Sequence, residues 1–179
     1  MSNYGIMLDL ETVGTRATSA IVSIGATLMN LETLTNEAYY YKVVDLASSV
    51  GFGLTVDPGT IAWWEQQTEE ARAIFTTEDK VTLDAALFGF IEFVGDKSEK
   101  IKIFGNGADF DNAILAYAYA KCGMAAPWQF YNNRCYRTIK AMYPDVPRHK
   151  PAIAHDAMHD AIAQARTLFD IIRTKSVAL

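Results

Sequence analysis

A chain of 179 residues, half of them apolar and 12% aromatic, has the length of one ordinary domain and ample material for a core. Its charged fraction of 21%, with no polar low-complexity run, excludes a disordered chain, and no apolar stretch approaches the length of a membrane span. The formal net charge of −5 argues against a broad basic face for nucleic acid, yet it leaves room for a carboxylate-built site whose acidity two bound divalent cations would largely offset.

These properties set the expectation of one soluble, cytoplasmic domain over 1–179. The start "MSNYGIMLDLE" lacks a basic segment followed by a long apolar one, so no export is expected. Cys122 and Cys135 are too few for a disulfide framework and suit reduced thiols.

In chain order, 5–10 ("GIMLDL") and 20–28 ("AIVSIGATL") are apolar and β-branched and read as neighbouring strands around a Gly-Thr-Arg turn region. The stretch 37–44 reads as a third strand, closing an antiparallel meander. After a Gly-rich loop, Pro58 preceded by Asp57 suits a helix start, and helical character continues through "WWEQQTEEARAIF". The spacing predicts a helix over 83–95 ended by glycine, a strand in "IKIFGNG", a helix beginning near Asp111, and a short helix over 137–142 that stops before Pro144. A last helix, about 156–173, places Ala161, Ile162, Ala165, Leu168, Phe169 and Ile172 on one side. No internal repeat or dividing linker interrupts this order. The reading is an α/β fold, a mixed sheet of antiparallel meander plus parallel strands flanked by helices, with ligands expected at strand ends and helix starts.

Acidic residues stand at three such places. Asp9 and Glu11 end the first strand two residues apart, so they share a face while Leu8 and Leu10 point the other way. In "IFGNGADFDNAIL" a glycine turn holds Asp109 and Asp111 at a strand-to-helix junction, where either could also serve as a cap. In "HDAMHDAIAQA" four readings compete. His155 and His159 stand one turn apart as in a zinc helix, but a third ligand is wanting with only His149 to spare. An HD-type phosphohydrolase needs further histidines upstream, and none precedes His149. A solvated helix start accounts for His159. In the fourth reading Asp9, Glu11, Asp111 and Asp160 offer oxygen ligands to two Mg²⁺ or Mn²⁺ ions, and His155 is the base for an attacking water.

The segments "DLET" (9–12), "AIVSIGA" (20–26), "NGADFD" (106–111) and "HDAMHDA" (155–161) resemble, jointly and in order, the motifs of the DEDDh 3′-5′ exonucleases. "TIAWWEQQ" and "RCYRTIKAMYP" are similar to a phage and bacterial branch of that family, which includes a phage exonuclease and a mycobacterial 3′-5′ exoribonuclease. The resemblance implies a ribonuclease H-like fold and metal-dependent trimming of single-stranded RNA or DNA from the 3′ end to nucleoside 5′-monophosphates. It implies two Mg²⁺ or Mn²⁺ ions on Asp9, Glu11, Asp111 and Asp160, His155 as general base, and for the branch a homodimer. The F-D register favours Asp111 over Asp109 as ligand. Substrate contacts are expected from Thr12, Asn106, Phe110, Trp64 and Arg137, with one of Trp63 and Trp64 packing and the other touching a base. Arg134, Arg137, Lys140, Arg148 and Lys150 form a basic cluster suited to steering phosphates. Two other functions stay open: a non-catalytic nucleic-acid or partner-binding module on the same fold, and a zinc hydrolase using His155 and His159.

Overall fold

A computed structural model describes residues 3–177. Strands β1 (Tyr4–Thr12), β2 (Ile21–Asn30) and β3 (Thr35–Val43) form the antiparallel meander, and β4 (Lys102–Gly105) and β5 (Asn133–Cys135) add in parallel beside β1. The sheet order is β3-β2-β1-β4-β5, which makes β1 the point where antiparallel pairing gives way to parallel pairing. Among the described residues seven helices accompany it: α1 (Leu46–Gly51), α2 (Pro58–Trp64), α3 (Glu69–Thr76), α4 (Leu83–Val94), α5 (Ala113–Lys121), α6 (Tyr136–Met142) and α7 (Ala157–Lys175). None is long and apolar enough to cross a membrane.

Strand alternation divides the core. Ile6, Leu8 and Leu10 of β1, with Ile24 and Leu28 of β2, pack against Leu87 and Phe90 of α4 and Ile114 and Tyr119 of α5. Met7, Met29 and Phe104 face the other way, under Ala161, Ala165 and Leu168 of α7. Asp9 and Glu11 therefore lie on the α7 side, two and four residues along from Met7.

Three elements differ from expectation. The glycine-bearing loop begins as α1, because Asp45 caps it by accepting from Ser48 N at 2.9 Å. The expected helical stretch after Pro58 is two helices, since Thr68 starts α3 afresh by accepting from Ala71 N at 3.2 Å. β5 was not expected, as three residues with no apolar run carry no strand periodicity.

One contact sets how closely α7 approaches the sheet. Gly25 pairs with Asp9 on β1, and a Cβ built on it would lie 2.2 Å from the carbonyl carbon of Ala157 and 2.4 Å from Met158 N. The first turn of α7 thus rests on bare β2 backbone, beside Asp9. Gly51, by contrast, has open space where a side chain would stand. Gly25→Ala is expected to force α7 outward and cost about 1–3 kcal/mol, with roughly 2–4 °C of melting temperature for each kcal/mol, whereas Gly51→Ala is expected to be neutral or slightly stabilising. Thermal unfolding followed by circular dichroism distinguishes them, and equal melting temperatures would contradict this docking of α7.

Candidate active site

β1 outruns its neighbour β4, whose pairing ends at Leu8 opposite Gly105, so Asp9, Leu10 and Glu11 extend beyond the parallel edge. The register with β2 then shifts between Glu11 and Thr12, a bulge of the kind found beside functional sites. Beyond β4 the chain turns through Gly107, at φ +126°, into one turn of π-helix, Ala108–Asn112. This turn aims Asp111 inward: it is only 2% exposed, and its Oδ1 accepts from the free Leu10 N at 3.1 Å. Asp109, two residues earlier, is exposed. The Asn112 side chain secures the turn by donating to Ile103 O at 3.0 Å and Asn133 Oδ1 at 2.8 Å.

The third acidic element is α7. Asp156 caps it by accepting from Met158 N and His159 N, and Asp160 Oδ2 accepts from His155 N at 2.9 Å. With the helix seated on Gly25, Asp9, Glu11 and Asp160 each present an oxygen within 4.8 Å of the others. Asp111 borders the same cavity of about 220 Å³, together with Asn106, Phe110, Arg137, His155 and Gln164. Among the described residues that carboxylate trio is the one group of three or more side chains placed to hold a metal ion. His155 and His159 do not assemble one. His159 Nδ1 instead lies 3.2 Å from Asp156 Oδ1, the oxygen that caps the helix start.

Burial makes these carboxyl groups weak acids in the absence of cations. Asp9 is held well above the usual range by desolvation and then by repulsion from Asp111, Glu11 and Asp160. Glu11 is pushed up to about 8 by burial and then by Asp160 and Asp111. Burial raises Asp111 to about 7 against the opposing pull of backbone N–H groups and Arg137, and burial also raises Asp160. Asp111 Oδ2 is buried with no hydrogen-bond partner among the described residues.

His155 has a left-handed backbone, φ +61°, which is uncommon for a residue with a side chain and marks a constrained position. Its ring meets Trp63 edge to face at 4.9 Å and Trp64 at 6.3 Å. The two tryptophans divide between core and surface, and both border the second hollow described below. Trp64 is 3% exposed and donates Nε1–H to Thr12 O at 2.9 Å, so it is anchored in the core. Trp63 is 40% exposed and carries the open ring, because Trp64 alone lies over Val13, Val22 and Ile74.

A second hollow of about 450 Å³ adjoins the acidic one, and Glu11, Thr12, Thr60, Trp63 and Phe110 help line it. Leu10, Glu11 and Phe110 border both. Thr12 is less free than expected, since its hydroxyl donates to Gly14 O at 2.7 Å. The basic cluster splits. Arg137 borders the acidic cavity, and Lys140 Nζ donates to Asn106 Oδ1 at 2.9 Å. Arg134 and Arg148 instead donate to backbone carbonyls, of Tyr131 and Asn133 and of Lys140 and Tyr143 respectively.

Sequence reading missed Gln164, whose Nε2 donates to Asp9 Oδ1 at 2.7 Å, and Tyr41, whose hydroxyl lies 3.4 Å from Asp156 Oδ2. Gln164 carried a usable signal: it follows Asp160 by four residues on α7 and so shares its face.

No curated protein matches the chain in sequence. Solved structures do match in fold. The zinc-bound form of Escherichia coli exonuclease I in complex with single-stranded DNA is 15% identical, with a TM-score of 0.71 over 98% of this chain and 42% of that one. The same enzyme with a dT13 oligonucleotide is 16% identical, with a TM-score of 0.68 over 97% and 42%. The chain thus spans about two fifths of the length of the exonuclease I chains it resembles. A family model described as the 3′-5′ exoribonuclease Rv2179c-like domain matches residues 4–172, nearly the whole chain. With its mixed sheet and its four inward-facing carboxylates, the chain belongs to the family of Rv2179c-like 3′-5′ exoribonuclease domains.

Proposed function

We propose that this protein is a metal-dependent 3′-5′ exonuclease that releases nucleoside 5′-monophosphates from the 3′ end of single-stranded RNA or DNA. The observation that carries this reading is the convergence of Asp9, Glu11, Asp111 and Asp160 from three separate chain segments on one small cavity. A binding module has no use for buried carboxylates that repel one another, and removing any one would relieve the strain. The family description supports RNA, while the exonuclease I neighbours were solved with single-stranded DNA.

The donor set fits hard divalent cations. Every candidate ligand is a carboxylate oxygen, and Asp111 Oδ2 has no protein donor among the described residues. Asp9, Glu11, Asp111 and Asp160 would hold two Mg²⁺ or Mn²⁺ ions. When bound, the cations lower the pKa of an attacking water and offset the negative charge that develops on the phosphate and the leaving 3′ oxygen. His155 accepts the proton of that water at a ring nitrogen, with its ring held against Trp63 and its backbone tied to Asp160. The adjoining hollow receives the terminal nucleoside, with the exposed face of Trp63 and the ring of Phe110 offering stacking surfaces. Arg137 enters no ion pair among the described residues, which leaves its guanidinium at the cavity rim for a phosphate oxygen.

A time course on 5′-labelled single-stranded RNA and DNA of matched sequence, with Mg²⁺, Mn²⁺ or chelator, tests the reading. A metal-dependent ladder shortening from the 3′ end is expected, lost in Asp160→Asn. His155→Ala is expected to slow it on the order of 10²–10⁴-fold without loss of cation binding. Trp63→Ala is expected to weaken both rate and oligonucleotide binding. Absence of any ladder, or a ladder that survives Asp160→Asn, would contradict the assignment.

The raised carboxyl groups also predict a pH dependence of stability. Glu11 at about 8 and Asp111 at about 7, against ordinary values of 4.5 and 3.8, hold protons in the folded, cation-free protein that the unfolded chain has released. Their contribution to stability without cations is therefore expected to be fully present below about pH 4 and to be lost as pH rises towards about 8. The melting-temperature gain from added Mn²⁺ is expected to grow across the same window, because binding displaces those protons. A gain independent of pH would show that the carboxylates are not its source.

A further inference from the structure

The three aspartates of the site share one arrangement. Asp111 Oδ1 accepts from Leu10 N, Asp160 Oδ2 accepts from His155 N, and Asp9 Oδ1 accepts from Gln164 Nε2. In each carboxylate one oxygen is tied to the protein, and Asp111 Oδ2 has no hydrogen-bond partner among the described residues. Two of the three tethers are backbone amides fixed by the fold. The third is a side chain, and among the described residues Gln164 is the one hydrogen-bond donor to the Asp9 carboxylate.

We infer that Gln164 is a positioning residue that orients Asp9 as a metal ligand, an inference that rests on the carboxylate site proposed above. Gln164 is 9% exposed and borders the acidic cavity. With Asp9 ionised, as a metal ligand must be, its amide orientation is fixed chemically: the reverse would set Oε1 against a carboxylate oxygen at 2.7 Å, acceptor against acceptor. That leaves Oε1 buried with no protein donor among the described residues, on a side chain that borders the acidic cavity. The tether also links the two sides of the site. Gln164 follows Asp160 by one helical turn, so the face of α7 that brings one ligand carries the hydrogen bond that sets another on β1. Hydrogen bonds of this kind orient a ligand and set its affinity for the metal without touching it.

Mn²⁺ binding to the full chain without nucleic acid, followed by electron paramagnetic resonance or calorimetry, tests this. Gln164→Leu removes both donor and acceptor, and Gln164→Met does so with an unbranched chain that preserves length and packing. Both are expected to lower Mn²⁺ affinity about 10–100-fold, to lower kcat at limiting Mn²⁺, and to regain activity as Mn²⁺ is raised, with KM for the oligonucleotide unchanged. Either variant binding Mn²⁺ as tightly as the unmodified protein would overturn the inference, as would activity lost at every Mn²⁺ concentration. Asp9→Asn separates the two levels: if it too retains full Mn²⁺ affinity, the carboxylate site itself fails and not merely the role of Gln164.

Discussion

The site depends on the seat of α7 on Gly25. The main chain of Ala157 and Met158 lies where any side chain at that position would stand, and the cross-strand partner of Gly25 is Asp9. Because the helix starts there, Asp160 reaches Asp9 and Glu11 from its first turns, His155 is held just ahead of the cap, and Gln164 lies one turn further along. A helix standing off by even an ordinary packing distance would deliver none of these side chains to β1. The glycine of the "IGA" segment is therefore a geometric condition for the site, although it contributes no atom to its chemistry.

Charge is the opposing demand. Four carboxyl groups in one buried cavity are unfavourable together, and the cation-free protein answers by keeping protons on several of them. Local structure limits the cost. Asp111 closes the amide that β1 leaves open where it outruns β4, and Asp160 caps the amide of His155 in its left-handed turn. Asp111 and Asp160 thus each give one oxygen to a backbone amide while both border the cavity. The aromatic wall follows the same economy, with Trp64 holding α2 to the end of β1 while Trp63 meets His155 and the open hollow.

Much of this was legible in the chain because it follows from short-range periodicity. Alternation placed Asp9 and Glu11 opposite Leu8 and Leu10, and the apolar stripe of the last helix identified the face that covers the sheet. The turn glycines identified the junction at Asp111. What escaped was set by partners distant in sequence. Gln164 meets Asp9 across 155 residues, and Asn112 is locked by Asn133 on a three-residue strand with no pattern of its own. Trp63 and Trp64 stand side by side on a helix of seven residues, too short for periodicity to decide which faces inward. The break between α2 and α3 turned on the hydrogen bond of one threonine.

Asp9, Glu11, Asp111 and Asp160 are proposed to hold a pair of divalent cations together. A crystal structure of the protein with Mn²⁺, using anomalous scattering at the manganese edge, measures this directly. Two peaks about 3.5–4 Å apart, bracketed by those four carboxylates and clear of His159, are the predicted result. Peaks elsewhere, or an ion held by His155 and His159, would contradict it.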